Sequence, residues 1–258
     1  MNPIVLSSYQ PMYVVLSFML AAAGSFVALT AATRIKQADG SFSTTNTLAA
    51  GLALGGIGVW AMHFVGMLAL KLDVASSYAM VETGVSLLAA IVAASLALGY
   101  VARAPERLSR MVVAGALLGM SVVVMHYLGM YGMKIGGYIQ WDYAIVAASI
   151  AIAVVAATAA LWLAFNTASL LKRLVAALVM AVAVCAMHYT GMAAAEFVCT
   201  TAKRSAIPQG FGYVSSFSIS SMVIIATLSM MFLIAMSLLF QPVVAANGHK
   251  LQAKPSRG

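Results

Sequence analysis

The sequence predicts an all-α, polytopic membrane protein: seven transmembrane helices, built as three repeated two-helix units plus one further helix. Three observations carry that reading. Of the 258 residues 63% are hydrophobic and only 8% charged, with a mean hydropathy of +1.00, beyond the range of soluble globular domains. Seven apolar runs are long enough to cross a bilayer, which takes roughly 20 residues at ~1.5 Å rise each. A short histidine-bearing motif recurs at a nearly constant period along the chain.

The expected spans are 11–33, 47–70, 80–102, 111–133, 143–166, 174–196 and 217–240. The first has no basic segment ahead of it, since the first charged side chain is Arg34, and it is too long for the apolar core of a signal peptide, so it is expected to be retained. The second contains "WAMHFVGM" from Trp60, the fourth "VVMHYLGM" from Val123 and the sixth "CAMHYTGM" from Cys185. Glu82 and Asp142 open the third and fifth spans, where a carboxylate suits the positive end of the helix dipole. Glu196 closes the sixth. The seventh holds no lysine, which excludes a retinal Schiff base there. All six prolines are expected at ends or in connections, leaving the spans unkinked. Ala, Gly and Ser are abundant throughout, as close helix packing in lipid requires.

Lysine and arginine set the expected orientation. One set of connections, with Arg34, Lys36, Arg103, Arg107, Arg110, Lys172, Arg173, Lys250, Lys254 and Arg257, carries ten basic residues against four (Lys71, Lys134, Lys203, Arg204) on the other. The positive-inside rule then places the N-terminus outside and the C-terminus in the cytoplasm. Residues 1–240 form the membrane domain and 241–258 a short basic cytoplasmic tail. The net charge of +8 is a topology signal with some attraction to anionic membrane lipid, and it gives no reason to invoke nucleic acid. Cys185 and Cys199 lie too far apart to bridge if the helix continues between them.

His63, His126 and His188 are separated by 63 and 62 residues, the length of one two-helix unit with its connections. The odd spans repeat too: "LSFMLAAAGSFVAL" from Leu16, "VSLLAAIVAASLAL" from Val85 and "ASIAIAVVAATAAL" from Ala148 share small residues and hydroxyls in similar phase. Gly56, Gly119 and Ala181, seven residues before each histidine, suggest close helix contacts. The seventh span reads as an unpaired fourth start.

The motif-bearing spans run in one direction, so the three histidines share a depth near the outer end. Each histidine shares a helical stripe with the methionine four residues on (His63 with Met67, His126 with Met130, His188 with Met192), while Met62, Met125 and Met187 are turned by about 100° toward a neighbour. Gly66, Gly129 and Gly191 remove bulk beside that stripe. Imidazole with thioether suits a soft or borderline metal, above all copper. Zinc would not require the methionines, and magnesium or calcium would want carboxylates. Cys185 is a weaker candidate for a thiolate ligand, since a buried free cysteine is more often packing. One intramembrane histidine commonly just bonds a neighbouring helix, but three at one depth form a costly pattern that points to a site. Phe64, Tyr127 and Tyr189 are expected in the interfacial aromatic belt, with stacking on the site as the secondary reading.

These motifs resemble the MHYT domain of bacterial membrane signalling proteins. "MHYT" stands intact at Met187 to Thr190, with variants at Met62 and Met125, and the resemblance covers about residues 9 to 240. It implies a seven-helix sensor in the bacterial cytoplasmic membrane whose motif Met and His bind copper, one or two ions, at the outer face and through it sense dioxygen, carbon monoxide or nitric oxide. Relatives often carry a cyclic-di-GMP domain after the seventh helix. The 18 residues after Phe240 leave no room for one, so a non-enzymatic module signalling to a separate partner protein is expected. The alternatives are a copper uptake, storage or delivery protein and, less favoured, a b-type haem carrier.

Overall fold

The computed structural model describes residues 5–166 and 169–252, with side chains placed up to Ser237 except at Ala164. Seven helices are long and apolar enough to cross a membrane: Pro11–Ala32, Thr44–Ala69, Met80–Ala102, Leu108–Gly132, Tyr143–Leu163, Leu170–Ala193 and Ser216–Ser237. They are the seven expected spans, and the protein is a multi-pass membrane protein. Three begin earlier than apolarity alone suggests, because their first turns are polar. Ser43 accepts from the Asn46 N–H and Ser169 from the Lys172 N–H, each satisfying a donor left free at a helix start. The last helix continues as backbone through Gln252, past Pro242, which the sequence reading had put at its end; residues 253–258 of the expected tail lie outside the described residues.

Spans one to six form a closed ring in chain order, the sixth packing back against the first, and the seventh lies outside the ring against the second. Small residues set the spacing. A Cβ on Gly24 would meet the Gly58 nitrogen at 2.4 Å, and one on Gly119 the Ala153 carbonyl oxygen at 2.7 Å. One on Gly56 would meet Met230 Sδ of the seventh span at 2.3 Å, and Ala181 is fully buried. The close contacts expected seven residues before each histidine are therefore present. The second span is irregular: Leu52–Ala61, rich in glycine, is π-helical, and Met62–Ala69 resumes the α-helix.

Seven short strands cap one end of the bundle, a feature the sequence reading lacks. They are β1 (Ser7–Tyr9), β2 (Leu70–Leu72), β3 (Ser76–Ala79), β4 (Met133–Ile135), β5 (Gly137–Trp141), β6 (Ala195–Cys199) and β7 (Tyr213–Ser215). The antiparallel pairs β1–β2, β3–β4 and β5–β6 each join the segment entering an odd span to the segment leaving the next even span. Each two-helix unit is thus tied by its own strand pair. β7 enters the seventh span and adds to β3, as a fourth start without a partner would. Lys71, Lys134, Lys203 and Arg204 lie at this capped end, with Arg34, Lys36, Arg103, Arg107, Arg110, Lys172 and Arg173 at the other.

Candidate metal centre

The three even spans bring His63, His126 and His188 together on the axis of the ring, one helical turn or two from the capped end, all fully buried. Their Nδ1 atoms form a triangle with edges of 3.1, 3.2 and 3.2 Å. The rings stand nearly perpendicular to one another, with interplanar angles of 84° to 89° and centroids 4.9 to 5.1 Å apart. Among the described residues these are the His, Cys, Asp or Glu side chains brought close enough to hold one ion. Cys185 is a free, buried thiol outside that group, packed with Ala21, Met62 and Ala181.

Hydrogen bonding alone does not satisfy this triangle. Each Nδ1 of a neutral imidazole is either one donor or one acceptor. However the protons are assigned, at least one edge sets like against like. If the protons sit on Nε2, three lone pairs point at one centre, about 1.8 Å from each nitrogen for an edge of 3.2 Å, close to the ~2.0–2.1 Å of a metal–imidazole bond. The donor set therefore fits one small metal cation. A porphyrin has no room between nitrogens at contact distance, so the triangle as it stands suits a single ion better than haem.

The opposite edge of each ring is fixed by the next unit's glycine. A Cβ on Gly129 would stand 2.5 Å from His63 Nε2, one on Gly191 2.4 Å from His126 Nε2, and one on Gly66 2.3 Å from His188 Nε2. What approaches across the motif glycines is therefore the neighbouring imidazole. The buried Nε2 atoms of His63 and His188 have no hydrogen-bond partner, and His126 Nε2 has only the Gly191 backbone beside it.

The aromatic residues following the histidines are not an interfacial belt. Phe64, Tyr127 and Tyr189 pack edge-on against their own histidines at 4.9, 4.8 and 4.8 Å. The Tyr127 hydroxyl bonds Ser149 Oγ at 2.8 Å and the Tyr189 hydroxyl bonds Ser17 Oγ at 2.9 Å. The third equivalent serine, Ser86, accepts instead from Trp60 Nε1 at 3.2 Å, because Phe64 has no hydroxyl. Ser17, Ser86 and Ser149 are the second residues of the three repeated odd-span stretches, all fully buried. The sequence reading had the hydroxyls in phase but gave them no role.

All six motif methionines are buried, three a residue before the histidines and three a turn nearer the capped end: Met62 and Met130 at 0%, Met125 and Met187 at 1%, Met67 and Met192 at 3% exposure. Met67 and Met130 border clefts at the capped end, Met67 beside Tyr78 and Met130 beside Tyr127 and Trp141. Of the acidic residues, Asp142 caps the fifth span, accepting from the Ala144 and Ile145 N–H groups at 2.9 and 3.2 Å. Glu82 instead pairs with Lys134 at 3.5 Å. Glu196 lies exposed in β6, opposite Gln140.

A six-helix ring of three units, each giving one histidine to an axial cluster, defines a membrane protein with a threefold internal histidine cluster of a geometry that could hold a metal ion. A family model described as a bacterial signalling protein N-terminal repeat, MHYT, matches residues 56–114, 119–177 and 182–248. The chain belongs to the MHYT family. It is 39% identical over 197 residues to the bifunctional diguanylate cyclase/cyclic di-GMP phosphodiesterase MucR of Pseudomonas aeruginosa, covering 74% of this chain and 29% of that protein. It is 33% identical to the cyclic di-GMP phosphodiesterase NbdA of the same organism (72% and 24%) and 28% identical to the signaling protein YkoW of Bacillus subtilis (74% and 24%). The chain thus spans less than a third of the length of these relatives and is an MHYT signalling domain of the kind they carry. No solved structure matches it.

Proposed function

We propose that this domain is a copper-binding membrane sensor. The observation that carries the reading is the buried Nδ1 triangle, which hydrogen bonds alone do not satisfy and which, with the protons on Nε2, would turn three lone pairs toward one cation. His63, His126 and His188 supply the imidazoles, and methionines from Met62, Met67, Met125, Met130, Met187 and Met192 complete the set, which favours copper over zinc. Copper would bring a one-electron redox change and an affinity for small diatomic ligands. The chain's own part is to hold the donors fully buried between three helices, so that a change of ligand or oxidation state shifts the fit of all three at once.

The capped end faces the outside of a bacterial cytoplasmic membrane, in keeping with the ten-to-four basic bias. The signal, triggered by dioxygen, carbon monoxide, nitric oxide or redox state, leaves through the inner connections or the seventh span to a partner domain or protein. A transport role is less well supported, because the axis on the far side of the histidines is lined by apolar side chains and offers an ion no polar ligand. The test is metal analysis of purified protein against the His63→Ala/His126→Ala/His188→Ala variant. The wild type should retain copper and the folded variant should not; equal copper in both would refute the reading.

A further inference from the structure

About one helical turn beyond the imidazole triangle, away from the capped end, the axis holds a cavity of about 30 Å³. Its walls repeat with the units: Leu54 and Val59 from the second span, Leu118 and Val122 from the fourth, Met180 and Val184 from the sixth. Each valine precedes a motif histidine by four residues, so the three valines lie between the chamber and the triangle. Apart from Met187 the remaining wall is alanine, with Ala153, Ala157 and Ala160 of the fifth span buried and Ala156 half-buried. Ala183 and Val184 of the sixth span are also half-buried, which puts the mouth between spans five and six, in the hydrocarbon layer.

We infer that this chamber is a binding site for one small uncharged apolar molecule of dioxygen size, filled sideways from the lipid. Its volume is above the ~10–15 Å³ that a water needs, but a water would also need two to four polar partners, and a cavity lined this way stays dry and accepts apolar guests. Apolar gases partition into hydrocarbon, so a mid-membrane mouth draws from the richer phase. The site goes beyond the copper reading and does not depend on it, since none of the three histidines lines it and, of the proposed metal donors, Met187 alone does.

Crystals of metal-free protein pressurised with xenon test it directly by anomalous scattering. A xenon peak is expected on the axis among Val59, Val122 and Val184, lost in Ala157→Leu, whose larger side chain fills the space, and stronger in Leu118→Ala, which enlarges it. No axial peak in the wild type, or one indifferent to both substitutions, would overturn the inference. Should Ala157→Leu fail to fold, the wild type and Leu118→Ala decide the matter. Because no metal is present, a negative result leaves the copper reading to its own experiment.

Discussion

Replacing Gly66 by alanine places a methyl group where there is no room for it. Its Cβ would lie 2.3 Å from His188 Nε2 and 2.9 Å from Cδ2, so the ring must retreat by about 1 Å to reach ordinary contact. On a helix interior the exchange would otherwise favour folding by about 0.5–1 kcal/mol. Forcing one carbon into a filled core costs about 1–3 kcal/mol. Gly84→Ala is the control, since a Cβ there meets nothing within 4 Å, and it should be neutral or slightly stabilising. The two variants should therefore differ by about 1–3 kcal/mol in unfolding free energy. Displacing His188 also opens a triangle whose edges are 3.1–3.2 Å, and changes to groups that orient a metal's ligands typically lower affinity by about 10–100-fold. Denaturant unfolding in detergent and a competitive copper titration measure the two effects. If Gly66→Ala matched Gly84→Ala in both, the interlock of glycine and imidazole would be refuted.

Tyr189→Phe removes the bond to Ser17, and Tyr127→Phe the bond to Ser149. Each should cost about 0.6 kcal/mol, as typical interhelical bonds do in membranes, while Phe64→Tyr, which has no vacant partner, should not gain that much. Asp142→Ala should lose about 1 kcal/mol by uncapping the fifth span, measurable in the same unfolding assay. Burial in β3 raises the Tyr78 phenol above its ordinary range. The stability this represents is present below the unfolded phenol value near ~10 and is lost as pH rises above it, by up to about 1.4 kcal/mol per unit. A pH series should show a steeper alkaline loss of stability in the wild type than in Tyr78→Phe, the difference being the contribution of this phenol.

The spans, the threefold repeat and the common depth of His63, His126 and His188 were legible because lipid imposes them: length, apolarity and a rare intramembrane polar residue are strong signals. The strands were not. Segments of three to five residues such as Ser7–Tyr9 or Tyr213–Ser215 are too short to show an alternating pattern, and they exist because their partners arrive from a neighbouring helix end. The belt assignment of Tyr127 and Tyr189 failed because an aromatic residue near a helix end has the same spacing whether it faces lipid or a buried serine. The π-helical stretch of Leu52–Ala61 was also hidden: its glycines signalled close packing but not a change of hydrogen-bond register. Motif spacing put His and Met on one stripe with Gly beside it, yet only the arrangement of three spans reveals that each glycine serves the next unit's histidine.

X-ray absorption at the copper edge of the purified, copper-loaded protein tests the central claim most directly, because it counts donors by type. The account predicts three imidazole nitrogens at the ~2.0 Å metal–nitrogen distance together with methionine sulfur, and loss of one imidazole's scattering in each of His63→Ala, His126→Ala and His188→Ala. A bound copper with one imidazole or none, or a spectrum unchanged by those substitutions, would contradict it.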